Sequence, residues 1–245
     1  MNLETLPEDI KKDIEDQSLQ ILEGICDKIL VIGGWCVRAH LGKSHHRYTL
    51  DIDGVADKDT IHDLNKGFQS EGFKTEDFEW GIKFSKKYIP QVVVLDHLKD
   101  LVDKLEVRIE ISLPKIKEQD THHYFEFELT NFILKEISYH NKPESVLVRV
   151  PSIEAMAAVK LGLPVDYKNN HDSAMLLAEC DIDKVIKTIC TNNDWSSLVL
   201  RRMPKLKGRI TEKGSIENML ALASGLDIKE HIKRLEHIER KLKEK

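Results

Sequence analysis

Residues 31–53 read VIGGWCVRAHLGKSHHRYTLDID. A short apolar run ends at Gly33-Gly34, a helical piece (WCVRAHL) follows, and Gly42 closes it. The stretch HRYTLDID then alternates polar and apolar side chains as a strand does. Successive strand side chains point to opposite faces, so Tyr48, Leu50 and Ile52 are expected on the core face. Arg47, Thr49, Asp51 and Asp53 are expected on the other. Two aspartates at this spacing lie roughly 6.5 Å apart and repel by about 2–3 kcal/mol at an effective dielectric near 20. Bare charges disfavour that arrangement, but it suits a pair of divalent cations, and hard oxygen ligands select magnesium or manganese. An Asp-x-Asp pair alone equally describes the solvated face of an edge strand. Two neighbours favour the chemical reading. Gly33-Gly34 ends a strand and opens a helix, where bare backbone N–H groups can face a phosphate. Arg47 shares the aspartate face, as a phosphate ligand or as a balancing charge.

A two-ion site usually includes a third carboxylate. In LEVRIEISL, Leu105, Val107, Ile109, Ile111 and Leu113 fall on one strand face, and Glu106, Arg108, Glu110 and Ser112 on the other. Periodicity leaves both Glu106 and Glu110 open as the third acid. Strand patterns are also expected in FEWGIKFSKKY, QVVVLD and HYFEFEL, and amphipathic helices in the run after Pro7 and in KDTIHDLNKGFQSEGF. From VPSIEAMAAVKLGL onward the pattern is helical to Lys245. Strand-rich sequence giving way to helical sequence predicts an α+β class: a mixed sheet flanked by helices over 1–148, then a helical domain over 149–245.

The 245 residues are enough for two modest domains. A net charge of -5 argues against a protein that coats nucleic acid non-specifically, although a local basic patch could still receive an RNA. No apolar run is long enough for a membrane helix, and the charged amino terminus is unlike a secretory signal. The four cysteines have no metal or redox spacing, which leads us to expect reduced thiols and a cytoplasmic location.

Gly33-Gly34, Asp51-Ile52-Asp53 and a later strand carboxylate together resemble the DNA-polymerase-β-type nucleotidyltransferase superfamily. The closer likeness is to its AbiEii-type (type IV toxin) branch, through Gly33-Gly34, His40 and Arg47-Tyr48-Thr49-Leu50-Asp51-Ile52-Asp53. In that branch RIEIS resembles the third-carboxylate strand, which favours Glu110. Lys160 matches a lysine early in the second domain, and Asp172 matches a downstream Asp, with His171 standing where the branch has arginine. The resemblance implies transfer of a nucleoside monophosphate from a nucleoside triphosphate to an acceptor hydroxyl, with release of pyrophosphate. Asp51, Asp53 and Glu110 would hold two Mg2+ or Mn2+ ions with the triphosphate. Gly33, Gly34, Arg47, Thr49 and Lys160 would bind the nucleotide, and Asp172 would act as base or position the acceptor. The helical domain would close the cleft. Acceptors consistent with this are tRNA or another nucleic acid, a protein, or a small molecule. A catalytically silent nucleotide- or partner-binding protein is the alternative.

Other features carry less. Adjacent histidines, as in His45-His46 and His122-His123, face opposite ways on a strand and are expected as loop or surface residues. Trp35 and Trp80 are expected as core or rim aromatics. RRMPKLKGR brings Arg201, Arg202, Lys205, Lys207 and Arg209 together around Pro204, as a solvated loop or, more sharply, as an RNA-backbone contact.

Overall fold

The computed structural model describes residues 6–45, 47–117 and 123–244. In chain order the elements are α1 (Glu8–Glu23), β1 (Leu30–Ile32), α2 (Gly33–Leu41), β2 (Ile52–Val55), α3 (Lys58–Ser70), β3 (Lys74–Phe78), β4 (Gly81–Lys87), α4 (Lys99–Val102) and β5 (Glu106–Ser112). They continue with β6 (Lys115–Lys117), β7 (Tyr124–Glu126), β8 (Ile133–Ser138), β9 (Ser145–Val150), α5 (Ile153–Gly162), α6 (Tyr167–Glu179), α7 (Ile182–Ile189), α8 (Asn193–Thr211), α9 (Ile216–Ala223) and α10 (Ile228–Lys243). This is the α+β mixture expected, a mixed sheet flanked by helices and then a helical run. Two compact units result, and neither is continuous in sequence. One comprises residues 1–39, 47–114 and 128–150; the other comprises 40–46, 115–127 and 151–245.

The first unit is organised by a five-stranded sheet in the order β1-β2-β5-β4-β3. All neighbours are antiparallel except β2 and β5, which run parallel. A parallel pair needs a long crossover, here supplied by α3 and the β3–β4 hairpin. Ile52, Ile109, Ile111, Ile82 and Phe84 are buried on one face of the sheet. Under α1, Ile10 and Ile14 close a second cluster with Leu50, Tyr88, Val102, Leu105 and Val107.

Four expected strands differ. FEWGIKFSKKY turns at Glu79-Trp80 and continues as strand over Gly81–Lys87. HRYTLDID is strand only from Ile52, and HYFEFEL only over Tyr124–Glu126. QVVVLD forms no strand. There Pro90 has no N–H to give, and the Gln91 N–H goes to the Asp13 carboxylate of α1 at 2.9 Å. Val92 and Val94 still pack on the α1 cluster, while Val93 is 90% exposed. The alternation is real; the ladder is missing. The structure adds β3, β6, β8 and β9 to the strands expected.

The second unit carries α5 to α10 and the short β6–β7 ribbon. RRMPKLKGR is not a loop: it lies inside α8, Pro204 included. The buried stripe Trp195, Leu198, Val199, Met203, Leu206 and Ile210 holds that helix, outweighing the backbone bond a proline removes. In α10, His231 is buried beneath this bundle, and among the described residues neither ring nitrogen meets a hydrogen-bond partner. Burial, with Arg234 as a second cause, pushes its pKa down to about 4 from 6.5. The unfolded chain therefore binds the extra proton first, so stability holds above pH 6.5 and falls as pH drops toward 4, by about 3 kcal/mol in all. Urea unfolding of wild type and His231→Leu at pH 7 and pH 4 is expected to show this loss in wild type only.

Candidate active site

The glycine pair and the acids meet in the first unit. Ile32 of β1 pairs with Asp53 of β2, which places Gly33, the first residue of α2, beside the Asp53 side chain. Gly33 has φ +62°, and a Cβ built on it would stand 1.9 Å from Asp53 Oδ2. The missing side chain is what lets the carboxylate lie against the backbone at the start of a helix, where N–H groups point outward and anions are favoured. Gly34 is closed on by a second pair: its Cβ would meet Thr49 Oγ1 at 2.9 Å and Arg47 Nη2 at 3.3 Å. Thr49 is buried, and among the described residues its hydroxyl meets no hydrogen-bond partner. Its oxygen is an orphan polar group at a glycine cradle.

Across the parallel pair, Asp53 stands in register with Glu110. Neighbouring strands are about 4.8 Å apart, so both carboxylates share one sheet face. Glu106 lies beyond the β2 ladder and pairs with Lys87 of β4. Register therefore separates two glutamates that periodicity could not. Asp51 precedes the strand and is exposed. The expectation that Asp51 and Asp53 alternate along one strand face is corrected: Arg47–Asp51 follow a path fixed by side chains rather than by a ladder. Lys83 of β4 completes the row, its Nζ 3.0 Å from Glu110 Oε1.

The donor set fits a hard divalent cation. Magnesium commonly takes one or two carboxylates and fills its shell from phosphate and water. Among the described residues, no three His, Cys, Asp or Glu side chains stand close enough to cage an ion by themselves.

In the second unit, Lys160 of α5 and Asp172 of α6 meet each other. Both are buried, with Nζ 2.9 Å from Oδ2, and Lys160 also donates to Asn169 Oδ1 at 3.1 Å. His45 joins them, its Nε2 3.4 Å from Asp172 Oδ1. His45 lies in a loop, one of the two placements expected, but its side chain is fully enclosed; His46 and His122 lie outside the described residues. The sequence signal for His45 was its place in a short segment between a helix and the acids, which periodicity does not read. The basic residues of α8 divide. Arg202 donates to the Gly162 carbonyl and Lys207 pairs with Glu239, while Arg201, Lys205 and Arg209 are exposed.

No protein-family model matches the chain, and no curated protein does. Solved structures do resemble it. A Helicobacter pylori (H. pylori) protein described as a nucleotidyltransferase aligns over 98% of both chains at 14% identity and TM-score 0.47. MenT4, a nucleotidyltransferase toxin of Mycobacterium tuberculosis, aligns over 98% of this chain and 86% of its own, at 11% identity and TM-score 0.49. ANT(2″)-Ia, in complex with adenylyl-2″-tobramycin, aligns over 71% of this chain and 92% of its own, at 15% identity and TM-score 0.43. Two of the three are described as nucleotidyltransferases. At such distances the functional reading rests on this chain's own residues. Among the described residues, no helix is long and apolar enough to cross a membrane.

Proposed function

We propose that the chain is a metal-dependent nucleotidyltransferase that moves a nucleoside monophosphate from a nucleoside triphosphate to an acceptor hydroxyl. One observation carries the reading: the Asp53 carboxylate lies against the side-chain-free Gly33 at a helix start, in register with Glu110 on the adjoining parallel strand. The Gly33 and Gly34 amides bind the terminal phosphates, with the Arg47 guanidinium and the Thr49 hydroxyl alongside Gly34. Magnesium or manganese, held by Asp53 and Glu110 with Asp51 as an outer contributor and the rest of the shell from phosphate and water, would supply neutralisation of the triphosphate charge. The acceptor oxygen forms a bond to the α-phosphorus, the bond to the bridging oxygen breaks, and pyrophosphate leaves. Glu110 takes the acceptor proton. Positioning and fixed charge do most of the work in such chemistry, so a rigid glycine–carboxylate contact is an appropriate scaffold.

RNA is the acceptor to test first. Arg201, Lys205 and Arg209 stand at every fourth position of α8 and are exposed, an arrangement suited to a phosphate backbone. The test is incubation with each α-labelled triphosphate, magnesium, and total RNA or cell lysate. Label on a macromolecule or small molecule, with pyrophosphate released, is the expected result. A second reading, a silent nucleotide-binding protein, is favoured by the Lys83–Glu110 ion pair, which occupies the third acid. Triphosphate binding without label transfer to any acceptor would establish it.

A further inference from the structure

We propose that Glu15, in α1, is a positioning residue for the nucleotide site; the proposal rests on the nucleotidyltransferase reading of that site. Glu15 is a carboxylate only 1% exposed. Its Oε1 accepts from the Thr49 backbone N–H at 2.7 Å. Arg38 Nη2, from α2, reaches Oε1 and Oε2 at 3.1 and 3.3 Å and also donates to the Arg47 carbonyl at 3.2 Å. The His140 ring, in the β8–β9 turn, contacts the other oxygen. One turn along α1, Ser18 Oγ donates to the Leu50 carbonyl at 3.0 Å. The backbone at Arg47, Thr49 and Leu50 is thus fixed by side chains of two helices where the sequence pattern anticipates a strand ladder.

Stability alone does not explain a carboxylate there, because a buried ion pair roughly breaks even against a well-packed apolar replacement. What Glu15 determines is where two side chains stand. Thr49 and Arg47 close on Gly34, so a shift of the Thr49 backbone carries the hydroxyl and the guanidinium away from the glycine amides together. Asp53, held in β2 by ladders on both sides, does not depend on this brace. Glu15 therefore governs how tightly the triphosphate is held and leaves the chemical step alone.

Steady-state transfer by wild type, Glu15→Gln and Glu15→Ala tests this. Gln keeps an acceptor for the Thr49 N–H but loses the charge opposite Arg38; Ala loses both. KM for the triphosphate is expected to rise about threefold in Gln and more than tenfold in Ala, with kcat within about twofold. A merely structural role lowers the folded fraction, and so the apparent kcat, at constant KM; that pattern overturns the proposal. Amide hydrogen exchange at Thr49 reads the brace without catalysis: faster exchange in Glu15→Ala supports it, and an unchanged rate overturns it. Wild type that neither binds nor transfers nucleotide overturns the site reading and the KM claim with it, while the exchange rate still decides the brace. Glu15→Gln keeps the comparison available if Glu15→Ala does not fold.

Discussion

Asp53→Asn is expected to slow nucleotidyl transfer by about 10²–10³-fold while leaving the melting temperature nearly unchanged. The substitution keeps the shape that lies against Gly33 while removing the charge and one acceptor oxygen, and losing one preorganised electrostatic group at a reacting centre commonly has an effect of that size. It also removes a like charge facing Glu110 across adjacent strands, which offsets what the fold loses. Asp51→Asn is the informative companion. Asp51 is exposed and precedes β2, so its loss is expected to be smaller, below about tenfold, and to be partly recovered by raising magnesium. Initial rates of label transfer across a magnesium titration separate the two. Equal rates for wild type and Asp53→Asn would remove Asp53 from the chemistry.

Lys160→Met is expected to destabilise the protein by about 3–5 kcal/mol, because it removes an ammonium 2.9 Å from the Asp172 carboxylate, whose side chain is 0% exposed. The His45 ring, 3.4 Å from the same carboxylate, compensates only where it carries a proton. Two comparisons make the number meaningful. Lys83→Met, at a partly exposed pair, is expected to cost at most about 1 kcal/mol. Lys160→Met combined with Asp172→Leu removes both charges and is expected to recover most of the loss. Urea unfolding of the four proteins reads all of this, and a loss under 1 kcal/mol for Lys160→Met would mean that the pair is hydrated.

The sequence made some of this legible for identifiable reasons. β1, the turn at Gly33-Gly34 and α2 are neighbours in the chain, so local pattern suffices to place them. The polar face of β5 is legible because Glu106, Arg108, Glu110 and Ser112 alternate with buried Val107, Ile109 and Ile111. Periodicity alone does not select Glu110, since that choice is one of register between strands more than fifty residues apart. Arg47–Leu50 was misleading for a complementary reason. Its apolar-polar alternation is present, but its partners are Glu15, Ser18 and Arg38, side chains distant in sequence that no periodicity reports. Gln91 is the same case, tied to Asp13. Pro204 inside α8 and His45 beside Asp172 show tertiary packing overriding a local rule.

The tethers of α1 also bear on how the chain assembles. Asp16 accepts from the His140 and Asn141 backbone amides, a span of about 125 residues that must close before these bonds form. Contacts so distant along the polymer slow folding, because loop entropy is lost before they form. On the ribosome, this tether of the first helix waits for the β8–β9 turn to emerge, whereas the acid-bearing strand β2 already has β1 and needs only β5.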